Sequence, residues 1–376
     1  MPSASSVRRP LLLRLRDFWL NVHLWLGAGL FVALCPLGLS GSALVWNQAF
    51  DQLTSPSHYL VGGQAILPPS AYVAAANVAF GDRATPAQVR LPAKAGDPVV
   101  VTGPVAGKAQ RGQRPAQLSA WIEPVTGRVL DVGNPRATPQ GWMHNLHGNL
   151  LVPGGVGRKI VGWLGWTMTA SCLTGLWLWW PRRLSGGLAW RRTGSTLNNL
   201  HHQLGFWIFL PLLVLALSGV YIAFPQTSRA LFGVETPRAG APGGGGRPLA
   251  APHLGVDEAA QAALIKAPDA RIAAITLPTS GKRAAWRVQV APRGEGRPTT
   301  FLIDDGTGEA RLAPAQPGAD PLSRLVRTIH DSHEAPIWWQ AIVFLAGLAP
   351  TVLGLSGIIV WLKRPRRRRL LSPLPA

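Results

Sequence analysis

Histidines are the residues of this chain whose type and spacing could do chemistry. Asn21-Val-His23-Leu-Trp-Leu-Gly27 opens an uncharged run, and Asn199-Leu-His201-His202-Gln-Leu-Gly205 repeats it. In both copies a glycine follows the histidine four residues on, and a Ser-Gly pair follows seventeen residues on, at Ser40-Gly41 and Ser218-Gly219. A second set precedes two other apolar runs: His144 and His147 in Met143-His-Asn-Leu-His147-Gly, and His330 and His333 in Ile329-His-Asp-Ser-His333-Glu. His147 lies 28 residues before Gly175 and His330 lies 27 before Gly357. That near-equality makes His147 and His330 the equivalent pair and His144 and His333 the spares.

Ionisable side chains inside a bilayer are costly and tend to be functional. Imidazoles in symmetric pairs on facing helices suit haem, whose iron takes an axial nitrogen from each side. The pattern therefore implies two b-type haems, one held by His23 and His201 near the inner face and one by His147 and His330 near the outer face. A separation of about 20 Å follows if each lies one turn inside the core. Gly27, Gly29, Gly38 and Gly41 on one helix, and Gly205 and Gly219 on the other, would let a porphyrin or a neighbouring helix approach closely. His202 projects about 100° from His201 and replaces it only if the helix rotates. Two plainer readings compete: interfacial histidines reaching toward headgroups, and zinc at His144-x2-His147 or His330-x2-His333. His-Glu-x2-His, the spacing of a zinc hydrolase, does not occur. The Gly-rich 241–246 stretch lacks the strand–helix context of a dinucleotide site.

These histidines must be positioned by membrane helices. The chain of 376 residues is 47% apolar and 14% charged, but the average hides four long uncharged stretches between Pro-, Gly- and charge-rich segments. A net charge of +20 would suggest nucleic acid in a soluble protein, yet it gathers beside the helices at Arg8, Arg9, Arg14 and Arg16, at Arg182, Arg183, Arg191 and Arg192, and from Lys363 to Arg369. Flanking Lys and Arg mark the cytoplasmic side, so the partner is the lipid bilayer and not nucleic acid. Only Cys35 and Cys172 occur, both in apolar stretches, which argues against a disulfide scaffold, an iron–sulfur cluster or a cysteine zinc site.

The expected order is a basic cytoplasmic tail (1–17), a retained first span (18–47) kinked at Pro36, and an outer α+β domain (48–143). A histidine-bearing segment with the second span (144–181) and a basic loop (182–196) follow. The third span (197–225), a second outer α+β domain (226–329), the last histidine segment and span (330–362) and a basic tail (363–376) complete the chain. The fold class is membrane α-helical, with four transmembrane helices in two parallel repeats and a pseudo-twofold along the membrane normal. Trp142, Trp163, Trp166, Trp338 and Trp339 read as an outer interfacial belt. Arg90, Lys94, Arg283 and Arg287 on the outer segments could attract an anionic ligand.

Read together, these motifs resemble the PepSY-associated transmembrane proteins. The resemblance is carried by His23-Leu-Trp-Leu-Gly27, His201-His-Gln-Leu-Gly205, Leu146-His147-Gly and Gly175-Leu-Trp-Leu-Trp-Trp-Pro-Arg182. The hairpins Ile122-Glu-Pro-Val-Thr-Gly127 and Ile303-Asp-Asp-Gly-Thr-Gly308, and the closing Trp339 to Trp361 stretch, carry it further. The match spans nearly the whole chain. It implies a bacterial inner-membrane protein with both termini cytoplasmic and two PepSY-like domains in the periplasm. Some members are dihaem reductases that reduce a ferric siderophore or other iron chelate and release Fe(II), drawing electrons from a quinone or a cytoplasmic reductase. The alternative is a non-redox PepSY module that binds or regulates a periplasmic peptide or protein. The chain departs from the pattern at His333-Glu-Ala-Pro336, which leaves His330 and His333 as competing ligands, just as His144 and His202 compete with their neighbours.

Overall fold

A computed structural model describes residues 10–60, 62, 67–107, 115–180, 195–233, 248–280, 284–294, 297–314, 320–333 and 335–363. Arg8, Arg9, Arg182, Arg183, Arg191, Arg192, Arg283, the Gly-rich 241–246 stretch and the basic residues from 364 to 369 lie outside the described residues. The helices are α1 (Leu11–Val45), α2 (Asn47–Thr54), α3 (Pro69–Phe80), α4 (Pro139–Asn149), α5 (Val156–Trp179), α6 (Thr196–Ala223), α7 (Pro225–Leu231), α8 (Val256–Lys266), α9 (Pro321–Asp331) and α10 (Ile337–Leu362). The strands are β1 (Gln88–Arg90), β2 (Val99–Pro104), β3 (Gln117–Ile122), β4 (Val129–Gly133), β5 (Ala270–Thr276), β6 (Ala285–Pro292), β7 (Thr299–Asp304) and β8 (Ala310–Leu312). Two compact units result. One is built from Met1–Val45, Leu146–Ser228 and Leu325–Ala376, and the other from Trp46–Asn145 and Arg229–Arg324.

The first unit is a ring of four long helices in which α1 packs on α10 and α5, and α6 on the same two. Three of them, Leu11–Val45, Thr196–Ala223 and Ile337–Leu362, are long and apolar enough to cross a membrane. The fourth, α5, has 24 residues but carries Arg158, Lys159, Thr167, Thr169, Ser171 and Thr174. Large apolar side chains such as Trp25, Val32, Trp163, Trp207 and Leu355 stay exposed on these helices. An apolar surface of that extent fits lipid, not water.

Glycines set the helix spacing where backbones meet. A Cβ on Gly38 would lie 2.3 Å from the Gly347 carbonyl oxygen of α10, and one on Gly347 would lie 2.2 Å from Ser42 Oγ. Ser42 uses that proximity to donate to the Phe344 carbonyl at 2.8 Å. On the other side, Gly162 and Gly165 of α5 admit Phe224 and Val220. Small residues replace the hydrophobic drive that is missing between helices in lipid.

The second unit holds one antiparallel sheet of eight strands in the order β4-β3-β2-β1-β5-β6-β7-β8. Each half repeats one helix and four strands, with α3 covering the first half and α8 the second. The sequence led to two separate α+β domains; the structure joins them instead through β1 and β5, with Val89 opposite Ile275. The joining strand is three residues long between Pro86 and Pro92, too short to show alternation. Tyr72 and Phe80 of α3 are buried against Val89, Val101 and Ile122 of the sheet, and Trp286, Val288 and Ile303 are buried under α8. Asp257 binds the halves as well: its carboxylate accepts from the Ser70 backbone N–H at 2.9 Å and from the Ser70 hydroxyl. One carboxylate thus serves the first turns of both α3 and α8, where helix N–H groups lack partners.

Candidate functional site

The four-helix unit brings the histidines together as two pairs. His23 on α1 faces His201 on α6 with ring centroids 6.4 Å apart, and His147 at the end of α4 faces His330 at the end of α9 at 6.0 Å. His202 lies beside His201 at 6.2 Å and lines the same cavity. His144 and His333 are exposed.

Each ring sits on a glycine of a neighbouring helix. A Cβ on Gly175 would lie 3.1 Å from His23 Cε1, on Gly357 3.1 Å from His201, on Gly219 3.2 Å from His330, and on Gly41 2.7 Å from His147. The arrangement is reciprocal within each half of the chain. Helix α1 gives His23 to the Thr174-Gly175 pair of α5, and its own Gly41 receives His147, the histidine that precedes α5. Helix α6 gives His201 to the Ser356-Gly357 pair of α10, and its Ser218-Gly219 pair receives His330.

The same pairs fix the ring nitrogens. His23 Nδ1 meets Thr174 Oγ1 at 3.0 Å, His201 Nδ1 meets Ser356 Oγ at 3.0 Å, and His330 Nδ1 meets Ser218 Oγ at 2.9 Å. Those hydroxyls also reach back to carbonyls of their own turn: Thr174 to Ala170 at 2.9 Å, Ser218 to Leu215 at 3.1 Å and Ser356 to Leu353 at 3.1 Å. A carbonyl only accepts, so the single hydroxyl proton goes there and the oxygen lone pair is left to accept from the imidazole Nδ1–H. His147 Nδ1 reaches the Leu37 carbonyl directly at 2.9 Å, which requires the same tautomer. With the proton on Nδ1, Nε2 carries the lone pair that can ligate.

Two neutral imidazole acceptors cannot hydrogen-bond to each other, but they can share a metal. Imidazole nitrogens about 2.0–2.1 Å from one metal are roughly 4 Å apart, and half a ring on each side puts the centroids roughly 6 Å apart. The observed 6.4 and 6.0 Å fit that span. Among the described residues no three metal-binding side chains converge, and each pair brings two imidazoles together.

Around His23 and His201 lies a cavity of about 450 Å³ lined by Gly27, Phe31, Gly205, Phe206 and Gly354, with Arg16, Asn198 and His202 among its polar groups. A Cβ on Gly27 would meet nothing within 4 Å, and one on Gly205 would meet only Leu353 at 3.9 Å. These two glycines, four residues after their histidines, therefore keep space open beside the rings. Gly38 serves helix contact instead, and Gly29 lies on an exposed face.

The other pair is placed by two corners that the sequence analysis did not include. Helix α4 ends at Leu150 and Leu151 with φ of 51° and 61°, and α9 ends at Ser332 with φ of 58°. A left-handed residue thus follows each short histidine-bearing helix and turns the chain into the next long one. Trp339 Nε1 donates to the Ile329 carbonyl at 2.9 Å and so holds the last turn of α9, a more particular task than a place in an interfacial belt. His23 to Gly41 on α1 and His201 to Gly219 on α6 both span eighteen residues, a rise of about 27 Å between the two histidine levels.

Comparison with curated proteins finds no match. The family described as the PepSY-associated TM region matches residues 20–364, nearly the whole chain, and the chain belongs to that family.

Proposed function

We propose that this protein is a dihaem b-type reductase of the bacterial inner membrane that passes electrons across the bilayer to a periplasmic ferric chelate, a ferric siderophore above all. The observation that carries the reading is the two histidine pairs at opposite levels of one four-helix unit, each with metal-compatible spacing and each ring with its Nδ1 within hydrogen-bond reach of an oxygen on the neighbouring helix. In this reading α5 is the fourth span. The helices form two parallel repeats, and the basic residues Arg14, Arg16 and Lys363 put the His23 end and both termini in the cytoplasm.

His23 and His201 would hold the inner haem and His147 and His330 the outer one. When bound, a b-type haem supplies a one-electron Fe(III)/Fe(II) couple. Gly27 and Gly205 leave room beside the inner pair for a flat macrocycle, and Arg16 and Asn198 supply polar partners at that cavity. The apolar helix surfaces keep water from the rings. A quinone or a cytoplasmic reductase is the donor class that fits an inner site so placed. On the outer segments Arg90 and Lys94 are exposed and suit an anionic chelate.

The test is a dithionite-reduced minus air-oxidised spectrum of the purified full-length protein, with haem measured per chain. Sharp b-type bands at about two haems per chain, halved by His23→Ala or by His147→Ala, are expected. Reduction of ferric chelates by the loaded protein follows. A featureless spectrum from haem-replete cells overturns the reading and turns attention to the sheet-bearing unit as a binding module for peptides or proteins.

A further inference from the structure

Three of the four Nδ1 partners are side-chain hydroxyls and the fourth is a backbone carbonyl, although the sequence motif is the same at all four places. Ser40 precedes Gly41 as Thr174, Ser218 and Ser356 precede their glycines, yet Ser40 Oγ donates to the Pro36 and Leu37 carbonyls, at 2.7 and 3.0 Å. It therefore shares Leu37 as an acceptor with His147 Nδ1 rather than accepting from the ring. The Ser40 hydroxyl lies nearer Pro36 and leaves His147 Nδ1 to the backbone, whereas at the other three sites the hydroxyl is the ring's partner.

An acceptor on Nδ1–H makes the imidazole a stronger donor at Nε2, and such outer partners are worth 10- to 100-fold in metal affinity. Stronger donation favours the more highly charged ferric iron. We infer that Thr174, Ser356 and Ser218 are positioning residues that lower the reduction potential of the group their histidines hold, whereas Ser40, in the matching place, does not act on His147. This rests on the haem reading above. The assignment is specific: Thr174 and Ser356 act on one site, through His23 and His201, and Ser218 on the other, through His330.

The experiment is a potentiometric titration of the full-length protein, reading two one-electron waves. Thr174→Val keeps the side-chain shape and removes the acceptor. If ferric affinity falls tenfold relative to ferrous, the midpoint rises by about 59 mV. Thr174→Val and Ser356→Ala should raise the same wave, Ser218→Ala the other, and Thr174→Ser should restore the first. Ser40→Ala should raise neither wave, because His147 Nδ1 is held by the Leu37 carbonyl and not by Ser40. The inference is overturned if the hydroxyl variants leave both waves in place, if Ser40→Ala raises a wave as they do, or if a variant only loses a wave outright, which is the mark of packing alone. Wild-type protein with no haem overturns the haem reading itself, and this inference with it.

Discussion

Each paired histidine is held by a glycine under the ring and an oxygen on Nδ1, both from the neighbouring helix. The glycine contacts differ in tightness, and that gives a graded prediction. A Cβ at Gly41 would sit 2.7 Å from His147 Cε1, closer than such atoms approach, whereas at Gly219 the gap to His330 is 3.2 Å. Under the proposed haem reading, Gly41→Ala should displace the His147 ring and cut haem content toward one per chain, and Gly219→Ala should retain more; the pyridine haemochrome assay per chain checks this. An equal, full complement in both would show that ring placement tolerates the methyl group. The His-x3-Gly and Ser-Gly spacings were legible in the sequence and led to the same four histidines that the structure gathers into two pairs. What one sequence could not reveal is that each Ser/Thr-Gly pair serves a histidine of a different helix. Spacing along a helix reports its own face and not what crosses it.

Among the elements, the long helices announced themselves through apolar runs. The short ones did not. Helix α9 shows Leu322, Leu325, Val326 and Ile329 at helical spacing, but this stretch fell at the end of the segment assigned to the second outer α+β domain (226–329). The last turns of the two half-sheets carry different locks. Asp305 is buried and accepts from the His253 and Leu254 N–H groups and from Trp286 Nε1 at 2.8 Å. In the other half, Tyr72 donates to the Pro124 carbonyl at 2.6 Å, and burial pushes its phenol above the ordinary value, so it stays a donor. Asp305→Ala strands three donors and should cost about 3 kcal/mol or more, against about 1–2 kcal/mol for Tyr72→Phe. Denaturant melts of the full chain followed by tryptophan fluorescence would rank them, and the reverse order would refute the comparison. Asp304 is different again. The Thr307 and Gly306 N–H groups hold its carboxyl below the usual carboxylate range. A depressed folded value stabilises above the unfolded one and is lost as pH falls through the folded one. Amide protection factors in the 304–308 turn, corrected for the intrinsic pH dependence of exchange, should therefore hold from neutral pH down to the ordinary carboxylate range and fall only below it.

At the scale of the molecule, both units are assembled from both halves of the chain. Each histidine pair takes one ring from residues before 181 and one from residues after 194, and the sheet closes at β1 and β5, again one strand from each side. Helix contacts follow the same rule, with α1 against α10 and α5 against α6. The only covalent link between these halves is segment 181–194. In terms of assembly, the protein is a heterodimer written as one polypeptide. A protease site placed within 181–194 should therefore yield two fragments that still co-elute in detergent and keep the undivided absorption spectrum. Fragments that part on cleavage would mean that the link, and not the shared interface, holds the halves together. Neither half alone carries both rings of a histidine pair or the whole sheet, so each needs the other to complete the fold.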